Sequence, residues 1–341
     1  MFACLGVACG ASDEPADHGG AGDSGVGGSL PDDDDLSVAN LNVLHGLLCP
    51  AATDSCRLGE RLELFFQWIA ASGCPDVVTV QEISTLMEPI FRERAATVCP
   101  FPYEVVYQRY SSIDDNLILT RYPVSEFAVL PFFGGFRQAI RARIQHPRGP
   151  VEVISAHLSS GSDMGGAPCG DDCPPECVAA AASTRRQCQA VQLADLVLAS
   201  RAGAIASVVA GDMNATPDSP EMLRLSQLGW IDTYLAAGHP ECDPATGLGC
   251  TVGRRSDELS ELEDVALAQS ARVDYIFLAP TEPDDGTPRC SELDAPAVGD
   301  ASHDSVGDGD GDGDGIVTGG FAHRPNPFAE DCGAAPAITP L

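Results

Sequence analysis

Two segments, Asp76-Val-Val-Thr-Val-Gln-Glu82-Ile and Val209-Ala-Gly-Asp212-Met-Asn214, carry most of what this 341-residue chain indicates about its fold. In each segment, an apolar run that suits a β-strand ends abruptly in acidic or amide side chains. Strand ends that project carboxylates into one crevice form sites for a hard divalent cation and a phosphate group. The two segments therefore favour a metal-dependent phosphoester hydrolase.

The composition excludes several other chemistries. The chain has 50 acidic residues against 19 basic ones, all of them arginine, and its formal net charge is −31. The absence of lysine excludes a P-loop lysine and a Schiff-base lysine. The chain also has no dense basic tract of the kind that holds nucleic acid through its phosphates, which argues moderately against that partner. With 44% hydrophobic residues, the length suits one large domain or two ordinary ones.

The 14 cysteines are too many for a reduced cytoplasmic enzyme of this size unless they bind metal. The gaps between Cys169, Cys173 and Cys177 would suit zinc, and Cys188 is the nearby cysteine that could complete the set. A disulfide framework is the favoured interpretation, and a four-cysteine zinc site is the alternative.

The N-terminus predicts export. Residues 1–9 resemble the end of a bacterial lipoprotein signal, with Cys9 as the lipidated residue, although the positive n-region is missing and the true start is expected upstream. An apolar N-terminus without a targeting role is the alternative. Residues 10–35, rich in Gly, Asp, Ser and Pro, predict a disordered acidic tether. We expect a protein of the bacterial cell envelope or the extracellular space, with a lipid anchor to the membrane.

The rest of the chain, residues 36–341, is predicted to form one α+β domain, because many strands interleave with a few helices without β-α-β-α alternation. Strands are predicted at residues 36–44, 76–82, 103–109, 116–120, 136–145, 151–157, 206–210 and 272–279, and helices at 57–71 and 178–200. Residues 159–177 form a Cys-rich insertion, interpreted as a disulfide-pinned surface loop.

Residues 291–320 form a low-complexity acidic segment that contains alternating Gly and Asp. A calcium loop of the EF-hand type is disfavoured, because in the register that starts at Asp310 the closing glutamate is replaced by Phe321. A flexible acidic loop with loose calcium affinity is the better interpretation.

Seven polar residues occur at or just after the ends of predicted strands, in the order Asn42, Glu82, Asn116, His157, Asp212, Asn214 and Asp274. Their order and local sequences, among them Val-Val-Thr-Val-Gln-Glu82, Val-Ile-Ser-Ala-His157-Leu and Val-Ala-Gly-Asp212-Met-Asn214-Ala, resemble the endonuclease/exonuclease/phosphatase superfamily over about residues 36–280. This superfamily includes pancreatic-type deoxyribonucleases, inositol polyphosphate 5-phosphatases and bacterial sphingomyelinases. The resemblance implies a four-layer α/β/β/α sandwich with two packed mixed sheets.

The resemblance also implies roles for these residues. Glu82 would bind Mg²⁺, or Mn²⁺ or Ca²⁺ in its place, with Asn42 beside it, and His157 would hydrogen-bond the scissile phosphate. Asp212 would position or deprotonate the attacking water, and Asn214 would hold a phosphate oxygen. Phosphoester cleavage needs a cation, an aligned water and neutral donors that do not repel the charged transition state. These residue types supply each of those parts.

The remaining two residues of the series have less direct roles. Asn116 is assigned to substrate binding, although asparagine also suits a strand start. Asp274 would orient a catalytic histidine. Arg137 and Tyr103 are further candidates for substrate contact, but nothing in their local sequence separates them from surface residues. The competing structural interpretations are a strand-end carboxylate at Glu82, a core histidine at His157 and a simple turn at Asp212 to Asn214.

The family normally closes with a Ser-Asp-His segment, which this sequence lacks in recognisable form. Ser302-His303-Asp304 has a different order, and Ala322-His323-Arg324 has no aspartate. Three explanations stay open: a truncated or frameshifted gene model, His303 or His323 as a substitute, or a non-catalytic, surface-anchored binding protein that kept the fold. If it is an enzyme, we expect a monomer acting on a phospholipid headgroup, a small phosphodiester or nucleic acid.

Overall fold

The computed structural model describes residues 35–44, 54–111, 114–253 and 269–281, and excludes the side chains of residues 54–56 and 162–163. The signal-like segment at residues 1–9, nearly all of the tether at 10–35, the acidic segment at 291–320, and both candidate histidines, His303 and His323, lie outside the described residues.

The first sheet has four strands in the spatial order β1-β2-β4-β3. These strands are β1 (Val38–Asn42), β2 (Val77–Ile83), β3 (Glu104–Val106) and β4 (Asp115–Thr120). β1 and β2 are parallel, whereas β4 runs antiparallel to both of its neighbours. The sheet is therefore mixed.

The second sheet has six strands in the order β5-β6-β7-β8-β10-β9. These strands are β5 (Val124–Pro131), β6 (Gln138–His146), β7 (Gly149–His157), β8 (Ala206–Asp212), β9 (Ile231–Asp232) and β10 (Asp274–Ala279). β7 and β8 are parallel, and the other neighbouring pairs are antiparallel. Because β7 and β8 are parallel, both strands finish at the same end of this sheet, at His157 and Asp212.

The helices connect and cover these strands. They are α1 (Asp54–Ala71), α2 (Glu88–Ala95), α3 (Pro175–Ala179), α4 (Arg185–Ser200), α5 (Pro220–Gln227) and α6 (Thr233–Ala236), with a short π-helix at Gly161–Gly165. Among the described residues, no helix combines the length and the apolar character that crossing a bilayer requires.

Three apolar clusters show the layer order. Phe65 and Phe91 of α1 and α2 pack with Val78 on the outer side of the first sheet. The layer between the two sheets contains Val77 of the first sheet, Val208 of the second sheet, and further apolar residues of both sheets. Residues of α4 and α5 pack on the outer side of the second sheet with Val209. Since successive strand residues face opposite ways, the alternation of Val77 with Val78 and of Val208 with Val209 builds the predicted α/β/β/α sandwich.

The structure corrects the prediction of one continuous helix over residues 178–200. The chain forms α3 and α4 instead, separated by residues 180–184, with Ala181 in a left-handed conformation at φ +56°. Thr184 ends the break, because its hydroxyl accepts a hydrogen bond of 3.2 Å from the Gln187 N–H and so caps α4. The strand predicted at 103–109 is shortened to β3, and β5 was not predicted.

The eight cysteines whose side chains are described form disulfides, as the favoured interpretation predicted. The bonds join Cys74 to Cys99, Cys169 to Cys173, Cys177 to Cys188, and Cys242 to Cys250. The sulfur atoms of Cys169, Cys173 and Cys188 lie within 4.8 Å of one another, but each is bonded to another sulfur. The zinc alternative therefore does not describe this arrangement, and the insertion at 159–177 is fixed by two disulfides.

Candidate active site

The second sheet places three of the predicted site residues side by side. His157 at the end of β7 pairs with Asp212 at the end of β8, and Asp212 pairs with Asp274 at the start of β10. Residues directly opposite each other on neighbouring strands project to the same face. Gly211 permits this close pairing, because a Cβ atom there would lie 1.8 Å from the carbonyl oxygen of Ala156.

Asp212 is the centre of the cluster. Its Oδ2 accepts a hydrogen bond of 3.0 Å from Asn42 Nδ2, and its Oδ1 accepts one of 2.8 Å from the backbone N–H of Asn214. The ring Nε2 of His157 lies 3.6 Å from Asp212 Oδ2, which is longer than a hydrogen bond. The Asp212 carboxylate is therefore held in one orientation by contacts from both sheets.

Glu82 reaches the same place from the first sheet by way of an irregularity. The pairing of β2 with β4 shifts register between Val80 and Ile83, and Glu82 within this bulge has φ +63°. A bulge of this kind re-aims a side chain, and a left-handed glutamate is an uncommon, strained conformation. Asn42 Nδ2 donates to Glu82 Oε1 over 2.9 Å, so one amide bridges Glu82 and Asp212.

The turn that follows Asn42 is fixed by two further contacts. Asn42 Oδ1 accepts a hydrogen bond of 2.9 Å from the Leu44 N–H. Arg61 of α1 donates to the carbonyl oxygens of Val43 and Leu44, the latter over 2.8 Å. The first helix thereby sets the position of the amide that links the two carboxylates.

His157 is buried and supported by an ion pair that the sequence did not reveal. Its Nδ1 lies 3.1 Å from Asp114 Oδ1 and 2.9 Å from Arg137 Nη1, and Arg137 also forms an ion pair with Asp114. Burial, and then the positive charge of Arg137, lower the pKa of His157 to about 4, against smaller opposing effects of Asp212 and Glu82. The ring is therefore neutral at neutral pH.

Asp114 is the site residue that sequence reasoning missed, and Arg137 was considered only as a substrate contact, not as a partner of His157. Asp114 is held in place by its neighbour Asp115, which accepts hydrogen bonds from Tyr107 Oη (2.9 Å), Ser111 N (2.7 Å) and Gln138 Nε2 (3.1 Å). One local signal for Asp114 was available in the sequence. Asp114 and Asp115 are two consecutive acidic residues that directly precede the strand predicted at 116–120. Nothing local distinguished Arg137, whose role depends on residues 20 and 23 positions away.

Asp274 occupies the opposite flank of Asp212. Its Oδ1 is buried, and no hydrogen-bond partner for it occurs among the described residues. Burial, and then the neighbouring charge of Asp212, raise the pKa of Asp274 well above its usual value, against the lowering effect of a hydrogen bond with Thr251 and with a smaller raising effect of Glu82. The histidine that the resemblance assigns to this position is not among the described residues.

The two asparagines differ in their placement. Asn214, at φ +47°, donates from Nδ2 to the Leu158 carbonyl oxygen over 2.8 Å and lies at the site through its bond to Asp212. Asn116 is fully buried, and its Nδ2 donates to the carbonyl oxygens of Gln138 (2.9 Å) and Ser155 (3.1 Å). The Asn116 side chain thus links the two sheets, and its predicted substrate contact stays a prediction.

Tyr103 also has a structural position. It is buried, and its hydroxyl donates to the Pro75 carbonyl oxygen over 2.5 Å. Of the predicted site residues, the structure joins one connected group by contacts or strand pairing: Asn42, Glu82, His157, Asp212, Asn214 and Asp274.

This fold and site define a two-sheet α/β/β/α sandwich with an acidic cluster at the strand ends. The sequence matches the Endonuclease/Exonuclease/phosphatase family over residues 39–295. The match covers most of the chain, and the protein belongs to this family. No curated protein sequence matches it significantly.

Solved structures share the fold at low sequence identity. A crystal structure of humanized D. rerio TDP2 is 18% identical, with 72% of this chain and 84% of that chain covered and a TM-score of 0.50. The mannosyl-6-phosphatase of Bacteroides thetaiotaomicron is 14% identical, with 71% and 84% covered and a TM-score of 0.49. A family protein from Leptotrichia buccalis is 14% identical, with 70% and 85% covered and a TM-score of 0.46.

Proposed function

We propose that this protein is an exported, divalent-metal-dependent hydrolase that cleaves phosphodiester or phosphomonoester bonds. The observation that carries the proposal is the convergence of Glu82, His157, Asp212 and Asn214, which come from both sheets, on one cluster. Strand-end carboxylates next to neutral donors are the groups that phosphoester cleavage requires.

The donor set fits a divalent cation. Three carboxylates, those of Glu82, Asp212 and Asp274, approach one another, while the guanidinium of Arg137 beside them is already paired with Asp114. This leaves an excess of hard oxygen ligands and negative charge, which suits Mg²⁺, Mn²⁺ or Ca²⁺. Glu82 and the adjacent Asn42 would hold the ion, which when bound would offset charge on the phosphate oxygens.

Asp212 and Asn214 would have separate roles in the reaction. Asp212 is fixed by Asn42 and Asn214, so its carboxylate can orient a water molecule and accept its proton. Asn214 is fixed beside Asp212 by its backbone N–H, and its side-chain Nδ2, which donates one hydrogen to the Leu158 carbonyl oxygen, has a second hydrogen that would hold a phosphate oxygen.

His157 supplies a neutral donor. His157 Nδ1 faces both a donor, Arg137 Nη1 at 2.9 Å, and an acceptor, Asp114 Oδ1 at 3.1 Å; in the tautomer that accepts from Arg137, the ring carries its proton on Nε2. That N–H is buried beside Asp212, has no hydrogen-bond partner among the described residues, and can donate to a phosphate oxygen. A neutral histidine makes this contact without needing to be charged.

A second candidate is a non-catalytic binding protein of the same fold. The feature that favours it is in the sequence, where the closing Ser-Asp-His segment of the family is not recognisable, so that no histidine is identified to pair with Asp274. A phosphoester would bind beside Glu82 and His157 without turnover.

One assay panel separates the two candidates. Purified protein is given plasmid DNA, sphingomyelin and bis-p-nitrophenyl phosphate with Mg²⁺, Mn²⁺ or Ca²⁺, beside a His157→Ala variant. The proposal predicts turnover of at least one substrate that EDTA abolishes and that the variant lowers about 100-fold or more. Turnover that is independent of metal or of His157 would contradict the mechanism, and binding without turnover would support the second candidate.

The cellular location is a separate part of the proposal. It is supported by the lipoprotein-like residues 1–9 and by the disulfides, which form in oxidising compartments. In a bacterial host, the protein should fractionate with membranes, and Cys9→Ser should release it. Membrane association that is unchanged in this variant would contradict lipidation at Cys9.

A further inference from the structure

The bulge in β2 contains two residues, Gln81 and Glu82, whose side chains have different surroundings. The pairing of β2 with β4 shifts register between Val80 and Ile83, so that Gln81 and Glu82 together oppose Asn116 alone. Glu82 joins the acidic cluster through Asn42, whereas Gln81 is fully buried. The contacts that hold Gln81 therefore also hold the left-handed backbone that presents Glu82.

The Gln81 amide makes contacts in both sheets. Its Nε2 donates to Asn40 Oδ1 of β1 over 2.8 Å and to Ser155 Oγ of β7 over 3.0 Å. All three side chains are buried. A direct side-chain hydrogen bond thus anchors the bulge of the first sheet to a strand of the second sheet.

Ser155 is the residue where both sides of the bulge meet β7. Its hydroxyl accepts from Gln81, and its carbonyl oxygen accepts from Nδ2 of Asn116, the residue opposite the bulge, over 3.1 Å. Ser155 lies two residues before His157, and residues two apart on a strand project to the same face. The same short part of β7 therefore carries the anchor of the bulge and the histidine of the site.

Further from the site, apolar side chains fill the layer between the sheets, among them Val77 of β2 and Val153 of β7. Near the site, Gln81 Oε1 and Asn116 Oδ1 are buried and have no hydrogen-bond partner among the described residues. Buried polar atoms without partners lower stability, and apolar side chains of the same shape are often as stable or more so. Positioning of the site therefore explains these polar contacts better than stability does.

We propose that Gln81 and Ser155 are positioning residues, whose hydrogen bond sets the distance between the Glu82 carboxylate in the first sheet and the His157 ring in the second. A phosphate that contacts both an ion at Glu82 and Nε2 of His157 depends on this distance, because small misplacements of binding groups weaken such contacts strongly. The inference rests on the proposed function for the identity of the ligand, but it does not require turnover.

A matched pair of variants isolates the hydrogen bond. Ser155→Val and Ser155→Thr add nearly the same bulk at a buried strand position, but only threonine keeps a hydroxyl. With Mn²⁺ present, isothermal titration calorimetry measures the binding of inorganic phosphate to the full chain. Ser155→Val should weaken phosphate binding about ten-fold, whereas Ser155→Thr should stay within about three-fold of the wild type.

Mn²⁺ binding without phosphate separates positioning from a general loss of structure. The proposed ligands Glu82 and Asn42 both lie in the first sheet, so the Mn²⁺ affinity of Ser155→Val should change less than about three-fold. Thr79→Val is the control, because Thr79 is a buried residue of β2 whose hydroxyl donates to Asn40 Oδ1 within the first sheet over 2.7 Å. Its phosphate binding should match that of the wild type.

Gln81→Met tests the same hydrogen bond from its other end, and it replaces Ser155→Val as the test if that variant fails to fold. Gln81→Met should also weaken phosphate binding. The double variant with Gln81→Met and Ser155→Val should bind phosphate no more weakly than Gln81→Met alone, because both changes remove one shared contact.

Four results would overturn the inference: a wild type that binds no phosphate, equal phosphate binding in Ser155→Val and Ser155→Thr, parallel losses of Mn²⁺ and phosphate binding, or additive losses in the double variant. Hydrolysis of bis-p-nitrophenyl phosphate is followed in parallel. Hydrolysis that Ser155→Val leaves unchanged would refute the positioning roles and leave the proposed enzyme intact. Selective loss of phosphate binding in a protein that hydrolyses no ester would refute the enzyme and support the roles of Gln81 and Ser155.

Discussion

The two flanks of Asp212 are built differently. On one side, His157 is buried and contacts Asp114 and Arg137, which are themselves paired. On the other side, Asp274 has a buried Oδ1 without a partner among the described residues. The registers that align the three strands are equally regular, so the difference lies in what surrounds each side chain.

This difference divides the site into a supported half and an open half. The supported half fixes the orientation and the neutral state of the histidine, which are the properties that a donor to phosphate needs. The open half holds a carboxyl whose raised pKa reflects burial next to Asp212 without a cationic partner. If the protein is the proposed hydrolase, we therefore expect its activity to depend on the His157 flank more than on the Asp274 flank.

The largest effect is expected at the residue that both flanks share. Asp212→Asn keeps the size of the side chain but removes the proton acceptor, so kcat/KM for a p-nitrophenyl phosphodiester should fall by about 10³-fold or more. Asp195→Asn, at an exposed position of α4, is the control and should leave activity unchanged. A loss below ten-fold in Asp212→Asn would show that Asp212 is not the acceptor.

The buried neutral state of His157 should appear as pH-dependent stability. Because its folded-state pKa is about 4, below the unfolded value near 6.5, the unfolded chain binds the extra proton between these values. The free energy of unfolding should therefore fall as pH drops from about 6.5 to 4, by on the order of 3 kcal/mol from this group.

Urea unfolding of the chelator-treated protein at several pH values measures this contribution. A His157→Gln variant lacks the titrating ring and should show a shallower decrease over the same interval. Parallel curves for both proteins would mean that His157 is protonated in the folded state, in conflict with its buried position beside Arg137.

Asp114 supports the histidine from behind. Asp114→Asn removes the charge that pairs with Arg137, so Arg137 and the ring lose their fixed orientation and kcat should fall by roughly 10- to 100-fold with little change in KM. Steady-state kinetics with the same substrate measure kcat and KM separately. An increase in KM alone would indicate that Asp114 acts on substrate binding and not on the orientation of His157.

The smallest effect is expected on the open flank. Asp274→Asn removes a buried carboxyl that has no partner for Oδ1 among the described residues, so kcat/KM should fall less than about ten-fold, and thermal denaturation should show no loss of stability. A loss of 100-fold or more would instead show that a group beyond residue 281 completes this flank. His303→Ala and His323→Ala would then identify it.

The regular parts of the site were predictable from the sequence, because strand alternation and strand ends are local signals. Val77 to Glu82, Val151 to His157 and Val209 to Asp212 each show an apolar run that ends in a polar group. The order of these motifs also indicated the family to which the chain belongs. The aligned positions of His157 and Asp212 then follow from the parallel pairing of β7 and β8.

The irregular parts were not predictable in the same way. The left-handed bulge at Glu82 depends on the pairing of β2 with β4, and the role of Arg137 depends on Asp114, 23 residues earlier. β5 escaped prediction because most of its side chains are exposed, so it lacks a buried alternating face. For Glu82 and Arg137, the determining contact is distant in sequence.

The most direct test of the central claim is to locate the metal ion. A crystal of the protein soaked in Mn²⁺ and measured for anomalous scattering should show a peak beside the Glu82 carboxylate, next to Asn42 and Asp212, and a Glu82→Gln crystal should lose most of that peak. An unchanged peak in the variant, or Mn²⁺ bound only away from this cluster, would contradict the account.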